Sequence, residues 1–427
     1  MIERRALSCS AGFLPLAAAL LTACAPDAGA PASTATVDST GAPIVEYTHV
    51  PDLLPTVARL DPEALVIGQR DGPLAYTFGR IAAVALLPDG GVAVADSRAR
   101  EVRLFGAGGN HVATLGGQGE GPGEFRSLSG LAGVAGDTVW AWDAQAQRLT
   151  GFLSDGTVVA EATREGEFVG RILRLDRLAD GTFVGRSAWR LPGASANRQV
   201  DWHVARDTVV LRHLDAGLAL LDTVVVLPGR EYLLAENTAA AAGTFSTSRA
   251  ERPRPFTRSL YYDVTPGGVV TGVSDAFAWV HRGADGAVRR TVRAPALDRP
   301  ITPEHVEALK ARYRAGPGGD KARVETLFGD FPLPDTLPAF EALHVDDRGR
   351  VWLSRFRLHD EGPTRWVVFD PAGELLGRAE TPWPFEVHHI GQGHVIGVRW
   401  DEFDVSYVAR YALEELIQGA AVPRPLD

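Results

Sequence analysis

Three histidines lie close together near the C-terminus: His388, His389 and His394. Imidazole binds transition metals and titrates near neutral pH, so such a group points to a metal or to proton transfer. His388 and His389 are neighbours in an alternating segment, which sends them to opposite faces of a strand. One ion cannot simply take both, and His389 would need a distant partner such as His359. The acidic pairs Asp346-Asp347 and Asp360-Glu361 carry oxygens of the kind calcium takes. Both pairs fit solvated turns better, and the histidines fit an ordinary strand beside a turn. The chain has no G-x-S-x-G, H-E-x-x-H or C-x-x-C, the spacings that build common nucleophilic, zinc and dithiol centres. Trp142-Asp143 and Trp400-Asp401 have the dipeptide of WD repeats without its Gly-His partner, and read as coincidence.

A second set of polar residues stands at repeated places in the pattern. Leu87 to Phe125 reads turn, strand, polar turn, strand, glycine turn, strand, glycine loop. Looser copies of its core recur at Asp180-Gly181, Gly267-Gly268, Arg348-Gly349 and Gly391 to Gly393. Several strands per unit, repeating at about 40–50 residues, are the signature of a β-propeller. Aligned first strands begin near Arg80, Ser127, Arg171, Thr257, Ala339 and Trp383. First strands line the central channel of such a fold, and channels and mouths collect ligand sites. The candidate ring is therefore Arg80, Arg126, Ser127, Arg171, Arg258, Glu341 and Glu386. Its mixed signs suit mutual pairing as well as a ligand, and a register slip of one residue would turn each side chain away.

Six starts predict an all-β fold, a six-bladed β-propeller over residues 44–427, with a small helical insertion between blades four and five. The insertion spans about 301–338. Thr302-Pro303-Glu304 combines a capping residue, a proline suited to the first turn and an acid suited to the positive helix end. KARVETLF suggests a second short helix. Glu231 to Pro255 lacks β alternation and reads as a loop. Residues Glu63 to Gly68 form a lone strand, and the last blade shows only three. The lone strand is expected to supply the fourth, because an open edge invites aggregation.

The N-terminus gives an address. Arg4 and Arg5 precede an apolar run from Ala6 to Leu21, followed by Leu21-Thr22-Ala23-Cys24. A basic, then apolar, then small-residue series describes a secretory signal peptide. The cysteine that ends it resembles a bacterial lipobox, which implies a signal peptide over 1–23 and lipidation of Cys24. Ala25, in place of Asp, implies the outer membrane of the cell envelope. Residues 24–43 are rich in Ala, Pro, Ser and Thr and read as a flexible tether. The other cysteine, Cys9, lies inside the signal peptide, so the mature chain has no disulfide or thiolate metal site. A net charge of −10 argues against a nucleic-acid partner. The chain is read as a monomer.

Pro88 to Phe105 and the link Gly116 to Phe125, GGQGEGPGEF, together resemble NHL-type propellers. The chain after its signal is similar to bacterial six-bladed propeller lipoproteins that share this link. Members of the wider NHL group bind proteins or RNA, and distant six-bladed relatives are hydrolases, lactonases or lyases, so the resemblance implies the fold and not an activity. A phosphate cradle is excluded for the link, which lacks both a following helix and a Walker lysine. The expected function is an envelope-anchored binding or scaffold module for a protein, peptide or glycan, without a cofactor. The alternative is a propeller hydrolase or lyase with a metal in the channel. Against it, the chain has only Asn110, Asn197 and Asn237, none on a first strand, and calcium-dependent propeller hydrolases use channel asparagines.

Overall fold

Valines and alanines alternate so tightly in the strand Val92–Asp96 that both of its faces are apolar, and both are buried. Val92 and Val94 pack toward Ile396 and Val408, while Ala93 and Ala95 pack toward Leu128 and Val139. A strand with two buried faces must lie between two other sheets. That condition repeats around the molecule and produces a ring of blades.

The structure is a computed structural model. It describes residues 31–416 apart from residue 52 and segments 166–169, 190–202, 242–243, 316–323, 326–327, 329–331 and 359–361. The signal peptide, Cys24, His359, Asp360-Glu361 and most of KARVETLF lie outside the described residues. Those described form one compact unit, from Pro31 onward.

Six sheets make a six-bladed β-propeller. Their first strands are Ile81–Leu86, Leu128–Ala135, Arg174–Arg177, Leu260–Thr265, Phe340–Val345 and Phe385–Gly391. Each lies at one edge of its sheet. Neighbouring first strands touch from blade one to two, two to three, four to five, five to six and six back to one. Blades three and four are joined at this level by the Tyr262 hydroxyl, which donates to Asp176.

The ring closes as the strand count requires. Ala58–Ile67 pairs antiparallel with Ser406–Glu415 and becomes the fourth strand of blade six. Two expectations are corrected at the edges. Residues Ala32–Val37, read as tether, pair with Pro43–His49, which runs parallel to the last strand of blade four. Composition misses this hairpin because its first strand is wholly exposed and needs no apolar pattern. Its partner is anchored: Tyr47 is buried, donates to the Gly373 carbonyl and accepts from Leu375 N–H. Second, the segment from Glu231 to Pro255 is a hairpin, Leu220–Ala241 pairing with Thr244–Pro253. Ladder bonds along its backbone supply what its Ala, Thr and Ser side chains do not signal.

The glycine link takes its shape from Gly116, whose φ of 74° places it in the left-handed region. A Cβ there would stand 2.4 Å from Phe125, so only glycine lets the chain fold back over that ring. Phe125 is fully buried between blades one and two.

The helix Pro303–Ala315 leaves between blades four and five. Thr302 caps it as expected: its hydroxyl accepts from His305 N–H, while Thr302 N–H donates to the His305 ring. Val306 and Leu309 are half-buried.

Candidate functional site

In blades one, two and four the entry to the inner strand is held by a carboxylate or hydroxyl of the same blade. Asp96 is fully buried and accepts the N–H groups of Gly79, Arg80, Arg98 and Ala99. Asp143 does the same for Arg126, Ser127, Gln145 and Ala146. In blade four the Ser274 hydroxyl accepts from Ser259 N–H, and Glu231 reaches across from blade three to accept Arg258 N–H at the same entry. The Asp of Trp142-Asp143 is thus a structural anchor of blade two.

The candidate ring lies at these entry points. Arg80 gives its carbonyl to Ser97. Arg126 pairs with Glu120 at 2.8 Å, and Ser127 gives its carbonyl to the Ser129 hydroxyl. Arg171 donates to the carbonyls of Ala144 and Gln145 in blade two. Arg258 donates to the Thr336 hydroxyl at 3.0 Å. Glu341 faces Tyr261, whose hydroxyl is pushed up to about 12 by burial and by the Glu341 charge, against Arg230. Glu386 is 65% exposed and stands 3.9 Å from His388. The four arginines are thus spread around the entry face, each engaged within its own neighbourhood. Glu341 and Glu386 lie beside a different group.

That group occupies the channel wall on blades three to six. The Arg174 guanidinium meets Asp176 at 2.8 Å and lies over the Tyr262 ring. Asp176 takes the Tyr262 hydroxyl at 2.7 Å on its other oxygen. Next along, Asp263 accepts Val345 N–H at 2.9 Å and faces His344 at 3.7 Å. His388 follows in blade six. Arg174 is half exposed, as a side chain lining an open channel should be.

The charges hold one another. Burial works against the charge on Arg174, but Asp176, Tyr262 and Asp263 outweigh it and raise its pKa. Burial and the Asp176 carboxylate push the Tyr262 hydroxyl far up. Burial also opposes the charge on Asp263, but the His344 contact prevails and its pKa is lowered. Burial, with the positive charges of His344 and Arg174, lowers His388 to about 4. Burial likewise raises Glu386 and lowers His389. His388 is the unpaired residue where the register shifts between Val387 and His389; a bulge of this kind re-aims a side chain. Alternation alone places the two histidines on opposite faces and misses this shift.

Of the two acidic pairs only Asp346-Asp347 is described: it lies at a turn, where only Asp347 is exposed. Asp346 is buried and accepts from Arg350 and from the Trp352 indole; Asp347 accepts Gln392 N–H. Among the described residues no three His, Cys, Asp or Glu side chains converge as a metal-binding set.

Blades one and two present a different wall. Their inner strands read IAAVAL and LSGLAGVA, so small apolar residues stand where blades three to six carry charge.

The entry face between blades three and four holds a cavity of about 420 Å³, lined by Leu173, Arg186, Ala188, Asp207, Arg230, Tyr232 and Ser259. That volume falls within the small-molecule range of about 300–1,000 Å³. Gly229 makes room for its floor, since a Cβ there would strike Asp207 at 2.0 Å. Asp207 is buried and accepts Arg230 N–H. Among the described residues the Arg186 and Arg230 guanidiniums have no carboxylate partner. Neither arginine belongs to the sequence ring. Arg230 falls in a segment that begins to lose β alternation, and Arg186 sits on a second strand.

No protein-family model matches the chain, and a search of curated proteins found no match. Solved structures are similar in fold. A member of the DUF4221 family from Bacteroides vulgatus is 10% identical, with 84% of this chain and 99% of that one covered and a TM-score of 0.47. Virginiamycin B lyase from Staphylococcus aureus is 9% identical over 84% of this chain and 100% of its own, with a TM-score of 0.38. A calcium-binding protein, regucalcin, from Agrobacterium tumefaciens is 11% identical over 84% and 97%, with a TM-score of 0.39. At these identities the likeness is one of fold. Among the described residues no helix is long and apolar enough to cross a membrane.

Proposed function

We propose that the chain is a ligand-binding module of the bacterial cell envelope, anchored to the outer membrane through a lipid on Cys24. Its ligand, a peptide, a glycan or an exposed part of a protein, sits at the entry face between blades three and four. The carrying observation is the cavity of about 420 Å³, concave, mixed in polarity, and open beside the channel. Ligand sites are concave and fix their ligand through placed polar groups, here set beside Leu173, Ala188 and Tyr232. The channel carboxylates support binding over hydrolysis, because Asp176 and Asp263 are held by Arg174, Tyr262, His344 and backbone N–H. The basic, apolar and small-residue series ending at Cys24 supports the address.

The test is a thermal-shift screen of the full chain against blocked dipeptides and small saccharides, alongside Leu173→Trp. Leu173 is exposed at the cavity wall, so the indole fills the space without entering the core. At least one ligand class should raise the melting temperature, and Leu173→Trp should remove that shift. Shifts that survive Leu173→Trp would place the ligand elsewhere.

A further inference from the structure

Two arginines face each other across the first ladder of blade three. Arg174 and Arg186 are direct antiparallel partners, so their side chains share a face of the sheet. Like charges in that relation destabilise a sheet. Arg174 is neutralised by Asp176. Arg186 is half-buried, lines the cavity, and has no acid among the described residues. Arg230 reaches the same cavity from the fourth strand, its guanidinium 5.9 Å from the Tyr232 ring. The Arg186 charge acts on the Tyr262 hydroxyl in the channel cluster, and that of Arg230 on the hydroxyl of Tyr261.

Arg186, left without an acid opposite a second arginine, is a local conflict, and such conflicts collect at functional sites. Guanidinium forks match carboxylates and phosphates. The charge balance selects between them. Arg186 and Arg230 bring two positive charges and Asp207 one negative charge, which leaves one positive charge for the ligand to meet. A monoanion meets it, whereas a phosphate dianion overshoots. Leu173, Ala188 and the Tyr232 ring line the rest, a surface for an apolar body.

We propose that the cavity is a carboxylate seat: Arg186 and Arg230 together hold the carboxylate of a ligand whose apolar body lies against Leu173, Ala188 and Tyr232. The carboxylate comes from the C-terminus of a short peptide or from a free organic acid. This rests on the binding function proposed above and adds the charge and class of the ligand.

Calorimetric titration of the full chain tests it with four probes: N-acetyl-Leu-Leu, its C-terminal amide, hexanoate and inorganic phosphate. N-acetyl-Leu-Leu should bind, and the amide should bind at least tenfold more weakly. Arg186→Gln and Arg230→Gln should each weaken N-acetyl-Leu-Leu at least tenfold. Binding of hexanoate at comparable strength supports a free acid as the source, and its failure beside a binding dipeptide supports a peptide terminus. Arg186→Gln should also melt no lower than the parent without ligand, because it relieves the opposition to Arg174; this separates a site residue from a structural one. The proposal is overturned if neither acid binds, if the amide binds as well as the acid, or if phosphate binds as tightly. It is overturned too if the protein carrying both Arg186→Gln and Arg230→Gln keeps the affinity within twofold. Charge-blind dipeptide binding that Leu173→Trp abolishes would overturn the carboxylate seat and leave the binding function standing.

Discussion

Removing His388 should flatten the acid side of the stability profile. His388 stands beside Glu386 on the channel wall, with His344 and Arg174 acting on it and His389 next in the strand. Burial, aided by the charges of His344 and Arg174, lowers its pKa from 6.5 to about 4. Below an unfolded value of 6.5, the unfolded chain binds a proton at this ring that the folded chain refuses. The unfolded state holds more protons in that window, so stability is full above it and is lost as pH falls toward about 4. The whole difference is roughly 3 kcal/mol, of which about 2 kcal/mol falls between about pH 7 and about pH 5. Neighbouring groups titrate as well. His389 is lowered in the same direction. Glu386 is raised, so its contribution is present at low pH and lost as pH rises through its folded value. Both remain in the His388→Asn variant, so the comparison isolates His388. Urea unfolding by tryptophan fluorescence at the two pH values measures the change. The parent should lose about 2 kcal/mol more than His388→Asn over that interval. Parallel profiles for the two proteins, or a ring titration near 6.5 by NMR, would refute the reasoning.

Asp143→Ala should cost about 3 kcal/mol or more, since it leaves four N–H groups at the mouth of blade two without their buried acceptor; chemical denaturation measures it, and a loss below about 1 kcal/mol would show that water replaces the carboxylate. Deletion through Gly68 should unfold the chain, because it removes the closing strand Ala58–Ile67 and the buried Tyr47, whereas deletion through Asp38 removes an exposed strand only; circular dichroism melts of the two truncations should differ widely, and equal melting temperatures would contradict the closure. Cys24→Ser should release the protein from the membrane fraction, and a variant retained as completely as its parent would sink the lipid anchor.

The fold was legible because its repeats carry periodic apolar residues that must be buried on two faces. Val92 to Ala95 announce a strand between two blades, and Glu63 to Gly68 announce a missing partner. What stayed hidden has little side-chain signal. Ala32 to Val37 is exposed throughout, and the hairpin after Glu231 is held by its backbone ladder. The candidate site was legible only at its margin. Counting from blade starts finds entry residues such as Arg126 and Arg171, which bond within the entry loops. The channel cluster begins a few residues further along each inner strand, at Arg174, Tyr262, His344 and His388. Such positions are fixed only by true register, and the bulge at His388 defeats simple alternation. Arg186 and Arg230 lie on second and fourth strands, and only the ladder of blade three brings them to one cavity.

The most direct measurement is a crystal structure of the full chain with N-acetyl-Leu-Leu. The account predicts the peptide in the cavity between blades three and four, its carboxylate within hydrogen-bonding distance of both Arg186 and Arg230 and its side chains against Leu173 and Tyr232. A peptide bound in the channel or on an outer blade face, with this cavity holding only water, would contradict it.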